Sequence, residues 1–383
     1  METSEVPKNN KKTRMKTFLV IIAINIFLIF IILLGFEIYF RATMSHVVNR
    51  MADTLPKMID SSPQLLTNYT SKGRRLIPNA DVVLRNHHVS KRDINVKINS
   101  AGFRDTPLSE KKSPNEIRIL VLGDSITFGS YLQAEEVYVE RIENRLQKSI
   151  DKIKIEVINA GVWDIGLREM LHILDERGLD TDPDAVVIAF YLNDSRPPWG
   201  FPNELGSMGF LRKHSLLAQV IYSRMVFKEW IKMKGKSRFE WLIAKDKLDW
   251  KNNRSLFMNL VSYADNDWGA AWKDDSWIVV EEQFKTLKKI SEINNFKTAV
   301  VAFPVSFQVY ADFIEDKPQK KLREITRKFG YDYFDLLPVL RKYRDEDLFF
   351  DQCHPKVRAN DIIGNAIAGF LEEKVVPEIL SNK

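Results

Sequence analysis

Apolar residues are distributed along this 383-residue chain in three different ways. Positions 18 to 36, FLVIIAINIFLIFIILLGF, form a run without a charge, interrupted only by Asn25 and Gly35. A helix of that length crosses a bilayer, whereas a helix in a globular core normally keeps a polar face. The run predicts one transmembrane helix over 17–40, after a tail at 1–16. A cleaved signal peptide fits less well, because its apolar region ends after about 7–15 residues at a small-residue site, and here the run continues into Glu37-Ile38-Tyr39-Phe40-Arg41. From Ala42 to about Lys97 the chain is polar, carries Pro56, Pro63 and Pro78, and shows no sustained period. That pattern suits a stalk or an irregular lead-in at 41–97.

From Ile117 onward, short β-branched runs alternate with amphipathic segments of helix length. Ile117–Leu122, Ile153–Ile158, Ala185–Leu192 and Thr298–Phe303 read as strands, with Tyr331–Phe334 as a fifth. Val137–Lys148, Gly166–Arg177, Val279–Asn294, Pro318–Phe329 and Asn360–Glu372 read as helices. Strands apolar on both faces and separated by helices predict an α/β domain at 98–383. Its architecture is a three-layer sandwich around a mainly parallel five-stranded sheet. One interval, about 196–276, breaks the rhythm. Trp199, Trp230, Trp241, Trp250, Trp268 and Trp272 lie in it, and Trp277 follows immediately. It reads as an insertion, either a small hydrophobic subcore or a lid contributing apolar surface to a pocket.

Charge changes the picture only at the N-terminus. The formal net charge is +6, which on its face allows a nucleic-acid partner. Half of it belongs to the tail, where Lys8, Lys11, Lys12, Arg14 and Lys16 face Glu2 and Glu5. A basic flank before an apolar span holds the N-terminus in the cytoplasm and sends the following chain across the membrane, to the periplasm or the cell exterior. The remainder is close to neutral and has no basic run interleaved with aromatics, so no nucleic-acid groove is expected. The single cysteine, Cys353, excludes an intramolecular disulfide and a cysteine-rich metal centre. The six histidines are scattered, and neither a metal nor a cofactor is expected.

Candidate chemistry gathers at the ends of the predicted strands. The first runs into Gly123-Asp124-Ser125 and a short helical segment. A serine at such a turn presents its hydroxyl, with its own N–H placed for developing negative charge. No Gly-Lys-Ser/Thr follows, so a phosphate loop is not supported. A nucleophilic serine needs a base, and Phe350-Asp351-Gln352-Cys353-His354-Pro355 offers a histidine with a carboxylate three residues before it. Pro355 biases His354 toward an extended turn. After the second strand, Gly161 offers an unobstructed N–H, and after the third, Asn193 offers a side-chain amide. With the Ser125 N–H these are candidate oxyanion donors. All lie at carboxyl ends of strands, where open α/β sheets bind ligands.

Taken together, Gly123-Asp124-Ser125, Gly161, Asn193-Asp194 and Asp351-x-x-His354 resemble the four sequence blocks of the SGNH or GDSL hydrolases. The resemblance spans roughly residues 117 to 373. Ile98-Asn99-Ser100-Ala101-Gly102-Phe103-Arg104-Asp105 is also similar to the segment before the catalytic domain of membrane-anchored bacterial members. The family likeness implies a flavodoxin-like fold and metal-free ester hydrolysis by Ser125, His354 and Asp351, with a small-molecule or glycan ester as substrate. One departure is Tyr191, where the third block usually has glycine, and it bears on the shape of the pocket. The same triad would serve an O-acyltransferase of a cell-surface polysaccharide, and the fold alone would serve an inactive envelope binding or assembly component.

Overall fold

A computed structural model describes residues 9–59, 67–70, 73–87, 89–109, 111–163, 165–195, 215, 217, 244–265 and 267–381. The chain divides into two compact units, Met1–Leu55 with Met208–Lys228, and Pro56–Ser207 with Glu229–Lys383.

In the first unit, helix α1 begins at Asn9 and runs to Ile59. Within its Arg14–Tyr39 stretch an 18-residue window has a mean hydropathy of 3.2 with none of that window buried, so the helix is long and apolar enough to cross a membrane. Glu37 accepts hydrogen bonds from Ser215 Oγ (2.8 Å) and Leu217 N (2.9 Å). Trp199, Trp230 and Trp241 lie outside the described residues.

The second unit is built on five parallel strands: β5 (Glu116–Gly123), β6 (Lys154–Gly161), β7 (Ala185–Tyr191), β8 (Lys297–Phe303) and β9 (Asp332–Asp335), in the order β6-β5-β7-β8-β9. Every residue of β5 and β7 is buried, as their apolar runs require when both faces of a sheet are covered, and the two charges in β5, Glu116 and Arg118, pair with each other at 2.7 Å. On one face lie α3 (Tyr138–Ser149) and the long C-terminal helix Val357–Lys374; on the other lie α4 (Leu167–Ile173), Ser276–Asn294 and Lys317–Phe329. In α3 the residues Tyr138, Ile142 and Leu146 recur at i, i+4 and i+8 and are buried, the stripe that docks a helix on a sheet. In Ser276–Asn294, Trp277, Val280, Phe284, Leu287 and Ser291 do the same.

The chain leaves β5, packs α3, returns as β6 outside β5, and crosses back through α4 to β7 on the other side. This is the flavodoxin-like 2-1-3-4-5 order, and its switch point lies between β5 and β7. In register, Gly123 pairs Gly161, and Leu122 pairs Ile188, so the segments after β5 and β7 open at the same rim.

Residues 67–97 contain two antiparallel ladders, β1 (Thr67–Thr70) with β2 (Gly73–Leu76) and β3 (Asp81–Leu84) with β4 (Ile94–Lys97). Leu76, Leu84, Ile94 and Val96 are buried in the domain's core cluster. The described part of the insertion is packed in the same way. Trp250, Trp268, Trp272 and Trp277 are buried, Trp268 lies 5.9 Å from Trp272 and 5.5 Å from Phe307, and Trp272 Nε1 donates to Glu315 (3.1 Å). All four belong to the domain's main core cluster and form no separate one, and Trp277 stacks on Phe190 of β7 at 5.9 Å.

Candidate active site

Ser125 lies two residues beyond the last residue of β5, Gly123, and opens a single helical turn, α2 (Ser125–Phe128). Asp124 caps that turn by accepting from Ile126 N at 2.9 Å. The turn closes at Gly129, whose φ of 75° is left-handed and favours glycine. The backbone around Ser125 is gripped from several sides. Its carbonyl accepts from Gly129 N (3.0 Å) and Ser130 Oγ (3.0 Å). The buried Arg104 guanidinium donates to the carbonyls of Phe128 (2.6 Å), Gly129 (2.7 Å) and Leu132 (2.7 Å). Burial pushes the Arg104 pKa down to about 10, which still leaves it charged at neutral pH.

His354 sits on a loop made of short-range bonds. Phe349 bridges to Pro355, Phe350 N donates to His354 O (2.8 Å), and Lys356 N donates to Leu348 O (2.8 Å). Asp351 Oδ1 accepts from the backbone N–H groups of Cys353 (2.9 Å) and His354 (2.8 Å). Its other oxygen, Oδ2, is 2.7 Å from His354 Nδ1, and His354 Nε2 is 2.9 Å from Ser125 Oγ. With Nδ1–H donated to the carboxylate, Nε2 is the acceptor for the serine hydroxyl. The structure thus brings Ser125, His354 and Asp351, separated by up to 229 positions in the chain, into one relay.

Electrostatics fit that relay. Burial alone would raise the Asp351 pKa, but the His354 charge, its hydrogen bond and the two N–H donors outweigh burial and hold the carboxyl well below its usual range. Burial opposes a charged imidazole, yet the Asp351 carboxylate and its hydrogen bond, with Asp124 and Asp267 beyond, raise His354 above 6.5. The ring is packed between aromatics: Trp163 stacks on it at 5.9 Å and 18°, and Tyr131 lies at 4.5 Å.

The oxyanion candidates are placed differently from one another. Ser125 N carries the nucleophile's own N–H. Asn193 lies in the turn Leu192–Ser195 after β7, and its Oδ1 is buried with no hydrogen-bond partner among the described residues. The Gly161 N–H donates to Asn159 Oδ1 at 3.0 Å, so it is taken up within its own loop. Packing demands glycine here: a Cβ would lie 2.2 Å from Phe128 N and 2.6 Å from Thr127 C. Tyr191 is buried, with its hydroxyl unpartnered among the described residues.

Sequence reasoning did not single out Arg104, Tyr131 and Trp163 as parts of this site. Arg104 lies in the recognised lead-in segment, which was the available signal; the two aromatics look like ordinary core residues. Asp351, Cys353 and His354 also place three metal-capable atoms within 4.8 Å of one another. Burial, however, pushes the Cys353 thiol well above its ordinary range, away from the thiolate that binds metals, and the other two atoms are bonded to each other.

No family model and no curated protein matches the chain. Solved structures do. A putative lipolytic protein of the G-D-S-L family from Desulfitobacterium hafniense DCB-2 is 12% identical, with 66% of this chain and 99% of that one covered and a TM-score of 0.37. A lipase/acylhydrolase from Enterococcus faecalis is 16% identical over 67% and 95% of the chains, with a TM-score of 0.38. A catalytic mutant of an acetylxylan esterase from Geobacillus stearothermophilus is 14% identical over 69% and 96%, with a TM-score of 0.40.

Proposed function

We propose that the protein is a serine esterase, held to a membrane by α1 with its α/β domain on the extracytoplasmic side. The observation that carries the chemistry is the relay of 2.9 Å and 2.7 Å from Ser125 Oγ through His354 to Asp351. His354 Nε2 takes the Ser125 proton as Oγ attacks an ester carbonyl, and Asp351 holds the imidazole tautomer and stabilises the imidazolium. The Ser125 N–H and the Asn193 amide receive the oxyanion. Gly161 N–H joins them once its bond to Asn159 Oδ1 is exchanged for one to the substrate oxygen. His354 then protonates the leaving alcohol, and water, activated by the same imidazole, releases the acid. The substrate is a small-molecule or glycan ester. Sidedness rests on the basic residues before the span.

The test is hydrolysis of p-nitrophenyl acetate by the full chain purified in detergent, beside Ser125→Ala. The variant is expected to lose at least ~10³-fold in kcat/KM, and the acid limb of the wild-type profile is expected above pH 6.5, as the raised His354 requires. Equal rates from the two proteins overturn the proposal.

A further inference from the structure

Asp351 Oδ2 has a second donor besides the imidazole. Tyr131, two residues beyond Gly129, points its hydroxyl at that oxygen at 3.3 Å. Its ring is buried and shared among the site's aromatics: 4.5 Å from His354, 5.5 Å from Phe350 and 6.2 Å from Trp163, with His87 behind it at 5.1 Å. The residue therefore touches the relay twice, by its ring, tilted 52° against the base, and by its hydroxyl on the carboxylate that orients the base. Nothing in the four sequence blocks assigns it a role.

We propose that Tyr131 is a positioning residue that sets the basicity of His354 by sharing the negative charge of Asp351 Oδ2. This deepens the esterase reading and rests on it for its catalytic meaning. A hydrogen bond to a carboxylate stabilises its charged form. A donor on the same oxygen that binds His354 Nδ1–H lessens that oxygen's pull on the imidazolium. Removing the hydroxyl concentrates charge on Oδ2, stabilises the imidazolium, and raises the His354 pKa. Tyr131 thus keeps more of the imidazole in its free-base form at neutral pH than Asp351 alone would allow. The other ionisable groups facing the ring are Asp124, Asp267 and Cys353; they keep their places in the variant, so the difference reads the hydroxyl alone.

The decisive variant is Tyr131→Phe, which keeps the ring and its packing. In the full chain in detergent micelles, the His354 imidazole titration followed by NMR, assigned against His354→Ala, is expected to move up by roughly half a unit. The acid limb of kcat/KM is expected to move with it, leaving the high-pH plateau and KM unchanged. Tyr131→Leu, which also removes the ring, is expected to lower the plateau. An unmoved titration in Tyr131→Phe, or a uniform fall in rate at all pH values, overturns the proposal. The NMR arm needs no turnover. It judges Tyr131 even if Ser125→Ala hydrolyses the ester as fast as wild type, the outcome that defeats the esterase reading instead.

Discussion

Ser125 and His354 meet at 2.9 Å, but the two sides of that bond are held in opposite ways. The serine side is fixed by parts of the chain far apart in sequence. Arg104 clamps three carbonyls beyond it, Asn159 Nδ2 donates to Thr127 O at 2.8 Å, and Gly161 presses against the α2 backbone with no room for a methyl group. The histidine side is closed mainly by bonds within Leu348–Lys356, and it is tied outward by Ser306 N donating to Gln352 O (2.8 Å), Leu348 N to Tyr310 Oη (2.8 Å), Asn360 Nδ2 to Pro355 O (2.9 Å) and Tyr131 Oη to Asp351 Oδ2 (3.3 Å). Asp351 shapes that loop with one oxygen and orients the base with the other. A nucleophile placed by long-range packing is sensitive to backbone displacement. A base placed by a local loop is sensitive to the chemistry of single side chains.

Asp351→Asn separates these contributions and has the largest expected effect. The amide oxygen can still accept from the N–H groups of Cys353 and His354, so the loop and the melting temperature should change little. The amide nitrogen then faces His354 Nδ1 as a donor, which favours the wrong tautomer and removes the charge opposite the imidazolium. A fall in kcat of ~10²–10⁴-fold is expected, with KM nearly constant. A large loss of stability beside the loss of rate would mean that the carboxylate charge itself holds the loop, and the contrast between the two sides would fail.

Gly161→Ala probes the serine side, with a smaller effect of a different kind. The added methyl meets backbone atoms of Phe128 and Thr127, which cannot rotate away as a side chain can. The nucleophile turn must shift, at a cost of about 1–3 kcal/mol in stability. Because Ser125 lies in that turn, kcat should fall by about tenfold or more while the His354 titration stays in place. Thermal denaturation and NMR titration of the same sample check both halves. A displaced titration would show that the histidine loop depends on the serine side.

How much of this was legible in the sequence follows the same division. Four of the five core strands appear within one residue of their predicted bounds, because apolar runs buried on both faces admit few other readings; β6 runs three residues further than predicted, to Gly161. Asp351 and His354 could be paired because they stand three residues apart before a proline, and Ser125 because it ends a strand. The hairpins at 67–97 were not legible: strands of four residues give only two positions per face, too few for a period. Arg104 and Tyr131 were not legible as site residues because their meaning lies in partners 24 to 220 positions away. The Gly161 N–H was read as open. Its bond to Asn159 Oδ1 depends on a side-chain rotamer that the one-dimensional pattern does not encode.

The frame behind the serine extends to the edge of the sheet, and there the smallest effect is expected. β6 is an edge strand, and its outward N–H groups have no neighbouring strand to receive them. Side chains take them at every second residue: Ile155 N donates to Gln147 Oε1 (2.9 Å), Val157 N to Glu143 Oε2 (2.8 Å) and Asn159 N to Asp105 Oδ2 (2.8 Å). Covering an edge in this way blocks pairing with another chain. It also half-buries two carboxyl groups, and this desolvation is the largest cause of their shifts: Asp105 is pushed up to about 6, against the N–H bonds from Asn159 and Thr106, and Glu143 to about 7. An acid whose pKa is raised on folding favours the folded state most when protonated. Its cost therefore appears as pH rises from about 4 through 6 to 7 and is fully present above that. Asp105→Asn keeps an oxygen to accept the Asn159 N–H and removes the half-buried charge. It should raise stability by on the order of 1 kcal/mol at pH 8 and by almost nothing near pH 4, leaving the rate per folded molecule unchanged, since the base lies on the other side. Denaturant titrations at the two pH values decide it. A variant less stable than wild type at both would mean that the carboxylate's stronger hydrogen bond outweighs its desolvation, and that the serine side is held at its edge by charge as well as by packing.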